Sequence, residues 1–532
     1  MMNIKDFLFN YGYTREFNFA VSEELKAIPD LIPEREFKRR KCLFDWTIVT
    51  IDGDDSKDFD DAVSIKKLKN GKFELGVHIA DVSHYVTEGS ALDAEAYNRG
   101  TSVYLVDTVV PMLPEKLSND LCSLVPHKPR LTLSCIMKID SLGNVEDYKI
   151  CETAIKSSAR LTYHKVTQVL EGNMSARNEY ADFIEMFENM RELALILRDK
   201  RMRRGAIDFD FPEPYFELDE DGKVIDIKPR ELSVSNKIIE EFMLVANETV
   251  AKHCEREGIP SVYRVHEDPD PEKIEKLVNV VKIFGHKLKV KDKVSPKAMQ
   301  SLLFRVDGTN AQTVLSTVML RSMMKARYCE ENLGHFGLAA EFYCHFTSPI
   351  RRYPDLIVHR ILKEWLNGNL DEWRITHYNK ITRRSAEQSS QTEADATTAE
   401  RDYDAFLSCE YMEDKIGQEF IGIISSVTDF GFFVELPNTV EGLVRMVDLA
   451  DDYYEFNEDA MLLAGRRTGR IFCMGQQVKV RLVKVNTELK QIDFIPAEFL
   501  EKETPKEVKQ QGGKQRSRKH TKKSRKKKYR SK

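Results

Sequence analysis

The first part of the chain alternates hydrophobic and polar residues in the way that is typical of β-strands. Runs rich in Val, Ile, Thr and aromatic residues are bounded by Gly, Pro, Asn and Asp, which favour turns. The last two runs flank a turn sequence at residues 141–144, and they predict a hairpin. The predicted strands are 46–51, 62–65, 73–82, 101–106, 131–139 and 147–155.

From residue 161 onwards the hydrophobic period becomes that of α-helices. In one such segment Ile239, Phe242 and Ala246 fall on a single stripe. Pro354 precedes an apolar run and is a good first-turn residue, so it predicts a helix start. Residues 212–227 return to strand and turn. The predicted helices are 183–204, 236–256, 311–330, 354–365 and 376–415.

Short strands and glycines return near residue 416. Some eighty residues with a period of two are typical of a small OB-fold barrel. Its sequence includes Phe430, Phe432 and Phe433, which could offer a surface on which bases stack. Alternate aromatic residues in a strand are as often core, and we expect one of the three to face solvent. The clearest strand segments are 417–434, 441–444 and 477–483.

These patterns together predict an α+β protein in four parts. Residues 1–45 form a short helix and a linker. Residues 46–415 form the main domain, with a β-rich amino-terminal part and a helical carboxyl-terminal part. Residues 416–498 form the OB-fold barrel, and residues 499–532 form a disordered tail.

Composition is that of a folded protein from a reducing compartment. The 532 residues are 42% hydrophobic and 31% charged, which is sufficient for a large core. Nine cysteines are scattered without a metal-ligand spacing, so we interpret them as buried small hydrophobic residues. No apolar run resembles a signal peptide or a membrane span. The sequence therefore predicts a soluble, cytoplasmic protein, and we expect a monomer.

The net charge of −5 hides a strong asymmetry. Residues 506–532 carry fourteen Lys or Arg and one Glu, a net +13, so residues 1–505 carry −5 minus 13, or −18. Such a tail cannot bury a core, and its sign attracts polyanions. The sequence predicts RNA or another nucleic acid as its partner, and ribosomes are a second candidate.

The strongest candidate for a functional site is one acidic turn, where six aspartates occupy ten positions. Like charges this close repel one another unless a cation lies between them. Lys57 and Val63 stand where a calcium loop of the EF-hand type needs Gly and Glu, so that alternative fails. A solvated acidic turn stays possible, whereas oxygen ligands favour Mg²⁺ or Mn²⁺ and phosphoryl chemistry. The six are Asp52, Asp54, Asp55, Asp58, Asp60 and Asp61.

Five sequence motifs lie at residues 50–61, 77–83, 110–114, 335–338 and 345–355. Together they resemble the RNase II (RNB) family of exoribonucleases, from about residue 20 to the tail. The resemblance implies a catalytic domain at 46–415 and a barrel of the S1 RNA-binding type. It also implies processive, magnesium-dependent hydrolysis of RNA from the 3′ end to nucleoside 5′-monophosphates.

The resemblance assigns catalytic roles residue by residue. It implies that four of the six aspartates bind metal and orient water, with Asp60 the most directly catalytic. Asp54 and Asp55 then become secondary. Arg351 matches the arginine that faces the scissile phosphate, where a guanidinium stabilises developing charge; its alternative is a core salt bridge. The four implied metal ligands are Asp52, Asp58, Asp60 and Asp61.

The same resemblance suggests which residues contact RNA. Tyr104 and Phe209 match an aromatic clamp on the 3′ end, and Tyr163 matches a position that contacts the sugar. Glu241 and Glu393 match acidic positions in the substrate channel, although Glu240 fits as simply as Glu241. The predicted RNA-binding residues are Tyr104, Tyr163, Phe209, Glu241, Arg352, Glu393, Phe430, Phe432 and Phe433.

One departure from the family pattern leaves alternatives open. The family branch that the chain resembles has cold-shock barrels before the catalytic domain, and residues 1–45 match only the linker after them. We therefore expect RNA binding that is weaker and more salt-sensitive than in a full-length relative. A non-catalytic protein that binds RNA or ribosomes is the main alternative. Endonucleolytic or DNA-directed hydrolysis is the third.

Overall fold

A seven-stranded mixed sheet forms the centre of the amino-terminal part in the computed structural model, which describes residues 4–208, 212–309, 311–458 and 460–502. A separate two-stranded hairpin lies beside it. The sheet strands are β1 (Lys41–Cys42), β2 (Val49–Asp52), β3 (Asp61–Lys67), β4 (Phe73–Ala80), β7 (Pro129–Ile139), β8 (Val145–Lys156) and β9 (Ala159–Thr162), and the hairpin pairs β5 (Val103–Tyr104) with β6 (Val109–Val110).

The strand order of the sheet is β1-β8-β7-β4-β3-β2-β9. Only the outer pairs β1–β8 and β2–β9 are parallel. Val63, Val77 and Ile79 on the central strands are buried among helices. Strands β2 and β3 align at a single pair, Val49 with Val63, so the ladder between them ends well before the acidic turn.

Helices cover the sheet and continue to the barrel. The longest one, α13, runs for 42 residues. The helices are α1 (Ile4–Asn10), α2 (Phe19–Ala27), α3 (Glu34–Arg39), α4 (Ala91–Arg99), α5 (Tyr163–Leu170), α6 (Met174–Glu179), α7 (Ile184–Arg204), α8 (Val234–Glu257), α9 (Pro271–Ile283), α10 (Pro296–Val306), α11 (Gln312–Ser322), α12 (Tyr353–Leu366) and α13 (Glu372–Glu413).

Five strands after α13 close into a barrel, with a three-stranded sheet inserted before the fourth. The predicted α+β class and OB-fold barrel are thus confirmed. The remaining strands are β10 (Pro214–Leu218), β11 (Val224–Pro229), β12 (Tyr263–Val265), β13 (Arg327–Cys329), the barrel strands β14 (Glu419–Thr428), β15 (Gly431–Glu435), β16 (Glu441–Arg445), β20 (Gln477–Asn486) and β21 (Gln491–Pro496), and the inserted β17 (Tyr454–Asn457), β18 (Leu462–Gly465) and β19 (Ile471–Cys473).

Three sequence predictions of local structure were wrong. The predicted helix 311–330 ends at Ser322, because β13 leaves it to pair with β12. The predicted strand 101–106 is only β5, since Leu105 and Thr108 bond to each other across a tight turn. The amino-terminal segment contains three short helices within its described residues, where one was predicted.

Two further expectations concern cysteines and membranes. All nine cysteines are free, and six are buried as predicted, but Cys42 is exposed and Cys151 and Cys473 are half-buried. Within the described ranges, no helix has the length and apolar character needed to cross a membrane.

Candidate active site

The acidic turn sorts its aspartates between the protein interior and solvent. Asp52 ends β2 and Asp61 begins β3, so both are held by strands. Asp54 and Asp55 are exposed, whereas Asp60 is only 4% exposed. The turn therefore offers an inward group of carboxylates and an outward one.

Asp60 is fixed by a segment that lies far along the chain. Its Oδ1 accepts a hydrogen bond of 2.8 Å from the Ile350 amide, and its backbone carbonyl accepts one of 2.9 Å from the Ala80 amide. Its Oδ2 lies 3.8 Å from Arg351 Nε and has no hydrogen-bond partner among the described residues. One oxygen is thus anchored while the other is free to act.

Backbone hydrogen bonds join Arg351 to the residues just before β5, the strand that bears Tyr104. Its carbonyl accepts bonds of 3.0 Å from the Ser102 amide and 3.1 Å from Thr101 Oγ1. Its side chain is 42% exposed, and the guanidinium donates to Ser348 Oγ at 3.2 Å. The backbone is held in place while the cationic end stays accessible beside Asp60.

Tyr104 lies at the edge of the same site, and the residue is 39% exposed. Its hydroxyl donates to Asp58 Oδ2 at 3.0 Å, and its amide donates to Glu400 Oε1 at 2.9 Å. Sequence reasoning missed Glu400, because one glutamate on a long polar helix carries no local signal. Phe209, the predicted partner of Tyr104, lies outside the described residues.

Burial dominates the electrostatics of the inward carboxylates. It raises the pKa of Asp52 and of Asp60 well above the usual range, and the neighbouring Asp58 and Asp61 add to both shifts. Burial also raises the pKa of Asp61 to about 6, although Arg351 opposes the shift. The fold thus places negative charge where water is scarce, which is costly without a cation.

Tyr163 lies beside this group at the start of α5. Burial raises the pKa of its phenol, and the charges of Asp61 and Asp52 raise it further. The protonated hydroxyl is therefore a possible hydrogen-bond donor near Asp61 and Asp52, and its contact with the sugar stays a prediction.

The carboxylate oxygens of this group suit a hard divalent cation. Asp52 Oδ2 and Asp60 Oδ2 are buried and lack hydrogen-bond partners, and carboxylate oxygens are the preferred ligands of Mg²⁺ and Mn²⁺. Across the described ranges, however, no three His, Cys, Asp or Glu side chains are already arranged as a metal cage. Asp58 Oδ2 instead accepts a hydrogen bond from the hydroxyl of Tyr104.

Two predicted RNA contacts lie in ion pairs inside the protein. Glu241 is 3% exposed and binds Arg201 through Nε and Nη2 at 3.1 and 2.7 Å. Arg352 forms two bonds with Asp355, at 3.0 and 2.7 Å. Glu241 thereby joins α8 to α7 and is buried, so its predicted RNA contact is corrected. Arg352 is tied to the first turn of the helix that follows it and is half-buried, so its RNA contact stays a prediction.

Glu393 is more accessible than those two. Its carboxylate pairs with Arg264 on β12 and keeps 34% of its side chain exposed. Glu240, the alternative to Glu241, is exposed on the outer side of α8. Of the acidic positions that were predicted to line a channel, Glu393 and Glu240 are the ones that solvent reaches.

The barrel aromatics separate as the strand pattern suggests. Phe430 is 53% exposed and precedes β15. Phe432 is fully buried, with its ring 4.8 Å from that of Phe472, and Phe433 is half-buried. The expectation that one of the three faces solvent is met by Phe430, whereas Phe432 is core and is corrected as an RNA contact.

Family models match both parts of the chain. The model described as RNB domain matches residues 40–368, and the model described as S1 RNA binding domain matches residues 413–495. The first covers the sheet, the acidic turn and Arg351. The second covers the barrel.

Curated relatives and solved structures extend this likeness. Ribonuclease R 1 of Lactococcus lactis subsp. lactis is 44% identical over 94% of this chain and 61% of its own length. Ribonuclease R of Thermotoga maritima is 46% identical over 91% of this chain and 68% of its own length. Mycoplasma genitalium RNase R in complex with ribose methylated single-stranded RNA is 31% identical, with a TM-score of 0.87 over 93% of this chain and 77% of that chain.

Proposed function

Because the chain belongs to the RNB domain family, we propose that it is a 3′-5′ exoribonuclease that degrades single-stranded RNA. The products would be nucleoside 5′-monophosphates, released processively. Relatives that are named ribonuclease R support the RNA substrate and the activity, and they are 44% and 46% identical to this chain over the aligned regions. The matched S1 domain supports RNA binding by the barrel.

One observation carries the proposal: the loop at Ile350 brings Arg351 to the acidic turn. The Ile350 amide anchors Asp60, and the next residue holds its guanidinium 3.8 Å from the same carboxylate. A structural ion pair would use both oxygens and bury the cation. Here Asp60 Oδ2 lacks a hydrogen bond and Arg351 is 42% exposed, so both groups are available to a phosphate and a water molecule.

The chain's own side chains can carry out most of the reaction. Asp60 Oδ2 can accept a hydrogen bond from the attacking water and orient its oxygen towards phosphorus. Arg351 can bind the non-bridging oxygens and stabilise the charge that develops on them. The bond from phosphorus to the 3′ oxygen of the preceding nucleotide breaks, and that oxygen takes up a proton. Tyr104 would stack on the terminal nucleotide.

We propose Mg²⁺, with Mn²⁺ as a substitute, as the cofactor. Asp52, Asp58, Asp60 and Asp61 would hold it, and the buried oxygens of Asp52 and Asp60 that lack hydrogen-bond partners fit that role. When bound, such an ion lowers the pKa of water and neutralises charge on a phosphodiester. Asp58 Oδ2 accepts the hydrogen bond from the hydroxyl of Tyr104, so the aromatic ring and the acidic turn are coupled.

The direct test compares two aspartates of the same turn. RNA labelled at its 5′ end is incubated with Mg²⁺ and the wild type, the Asp60→Asn variant or the Asp54→Asn variant. We expect the wild type to shorten RNA from the 3′ end and release mononucleotides. The Asp60→Asn variant should lose at least about 100-fold in rate while RNA affinity stays within about twofold. Asp54→Asn loses the same charge at an exposed position and should behave like the wild type.

The other outcomes identify the alternatives. Internal fragments would indicate an endonuclease. A wild type that binds RNA but hydrolyses none would indicate the non-catalytic protein. Equal losses in both variants would mean that the turn acts only through its overall charge.

A further inference from the structure

The acidic turn needs support that the sheet does not provide. Strands β2 and β3 share only one aligned pair, and residues 53–60 between them have no regular structure. Six aspartates in ten positions repel one another. Some other part of the protein must therefore hold the backbone of the turn against that repulsion.

Ser123 holds the turn on both sides of Asp58. It is fully buried, and its Oγ accepts a hydrogen bond of 3.0 Å from the Phe59 amide. The same hydroxyl donates to the Lys57 carbonyl at 2.7 Å. One side chain thereby binds the two peptide groups next to Asp58 and fixes the direction in which its carboxylate leaves the backbone.

Arg160 holds the opposite end of the turn. It lies on β9, which runs parallel to β2 and pairs Arg160 with Thr50. Its Nη2 donates to the carbonyls of Gly53 and Asp54, at 2.8 and 2.6 Å. Its guanidinium also lies 5.7 Å from the centre of the Phe59 ring. Arg160 therefore fixes the backbone directly after Asp52.

We propose that Ser123 and Arg160 are positioning residues that form a two-point clamp on the acidic turn. Their hydrogen bonds go to backbone atoms of the turn rather than to its carboxylates, and the charge of Arg160 in addition opposes the rise in the pKa of Asp52. A shift of about 1 Å in a catalytic group can cost about 100-fold in rate. Loss of either clamp residue should therefore lower kcat and leave KM for RNA nearly unchanged. This kinetic part rests on the proposed exoribonuclease activity.

The kinetic test uses double-mutant cycles. Ser123→Ala should lower kcat by about 10- to 100-fold in the wild type and have little further effect in the Asp58→Asn background. Arg160→Met should behave in the same way with Asp52→Asn. Ser134→Ala is the matched control, because Ser134 is also fully buried and forms two side-chain hydrogen bonds, with His78 and Thr153 rather than with the turn. Full, additive losses in both double variants would overturn the proposal.

A second measurement does not depend on activity. Hydrogen exchange should be about tenfold faster in peptides that cover residues 53–60 of Ser123→Ala and Arg160→Met, with other sheet peptides unchanged. Ser123→Cys keeps the size of the side chain and should fall between wild type and alanine. If the wild type hydrolyses no RNA, the proposed function fails, and this measurement alone decides on the clamp. Unchanged exchange in both variants would overturn it.

Discussion

Individual residues of one chemical type behave differently in the acidic turn because the fold gives them different surroundings. Asp54 and Asp55 remain in solvent, whereas burial raises the pKa of Asp52, Asp60 and Asp61. The carboxylates that are costly to ionise are also those nearest Arg351. Stability without metal and activity with metal should therefore respond in opposite directions to the same substitution.

Asp61→Asn should stabilise the metal-free protein at pH 8. The folded pKa of Asp61 is about 6, above its unfolded value of about 3.9. Its favourable contribution is thus present below about pH 4 and is lost as the pH rises through 6. Asparagine removes this penalty, by up to about 3 kcal/mol at pH 8, with a gain that shrinks towards pH 4. Calorimetry in a chelating buffer measures it.

Asp55→Asn provides the comparison for that experiment, since Asp55 is exposed in the same turn. It should leave the melting temperature nearly unchanged at both pH values. A loss of stability in Asp61→Asn at pH 8 would show that its carboxylate is stabilised by contacts other than a metal.

The pair Glu240 and Glu241 shows what a residue pattern alone can reveal. Helical periodicity predicts α8 and places both residues on it, but it does not identify the partner of either side chain. Glu241 is buried and lies 2.7 Å from Arg201 of α7, while Glu240 is exposed and lies 3.7 Å from the same guanidinium. That difference depends on how α7 packs against α8, and no local spacing encodes a contact between residues 40 positions apart.

Glu241→Gln should destabilise the protein by about 3 kcal/mol, because it removes the nearer carboxylate from the buried Arg201 charge and leaves that of Glu240, 3.7 Å away. RNA affinity should not change. Glu240→Gln, at the neighbouring exposed position, should alter stability by no more than about 0.5 kcal/mol. Urea unfolding and fluorescence anisotropy with RNA measure the two quantities. Weaker RNA binding without lower stability in Glu241→Gln would restore the channel role that the sequence suggested.

Among elements, those with a strong period were predicted well and short ones were not. The hairpin of β7 and β8, the helices α7 and α8 and the barrel were all predicted from periodicity. The predicted end of the helix that contains α11 was wrong because β13, with three residues, is too short for a period to define it. Its strand conformation comes from pairing with β12, a contact between distant parts of the chain.

Substitutions around β15 should separate folding from RNA binding. Phe432→Ala empties a fully buried position and should destabilise the barrel by about 3 to 5 kcal/mol. Phe430→Ala removes an exposed ring, so it should weaken RNA binding by about 1 to 3 kcal/mol and leave the melting temperature unchanged. Calorimetry and anisotropy measure both variants. Equal RNA affinity in the wild type and Phe430→Ala would remove that ring from the proposed RNA surface.

Across the whole molecule, we expect the basic tail to contribute RNA affinity and the acidic body to set the rate at saturating RNA. The structure describes residues only as far as 502, whereas the charge of +13 lies in residues 506–532. A chain that ends at residue 502 should bind RNA more weakly, with a shallower dependence of affinity on salt, because fewer counterions are released. Its rate at saturating RNA should match that of the full chain. A salt series with both chains measures the slopes.

A tail with its Lys and Arg residues replaced by Gln is the control for length. It should behave like the shortened chain. If it behaves like the full chain, the tail acts through something other than its charge.

The bond between Asp60 and the Ile350 amide has a consequence for the order of events during synthesis, because it joins residues 290 positions apart. At about 5 to 20 residues per second, a ribosome needs about 15 to 60 s to pass from one to the other. During that interval the acidic turn exists without its anchor and without Arg351. Under the proposed function, a nascent chain would therefore gain its activity only after residues 350 and 351 have been synthesised.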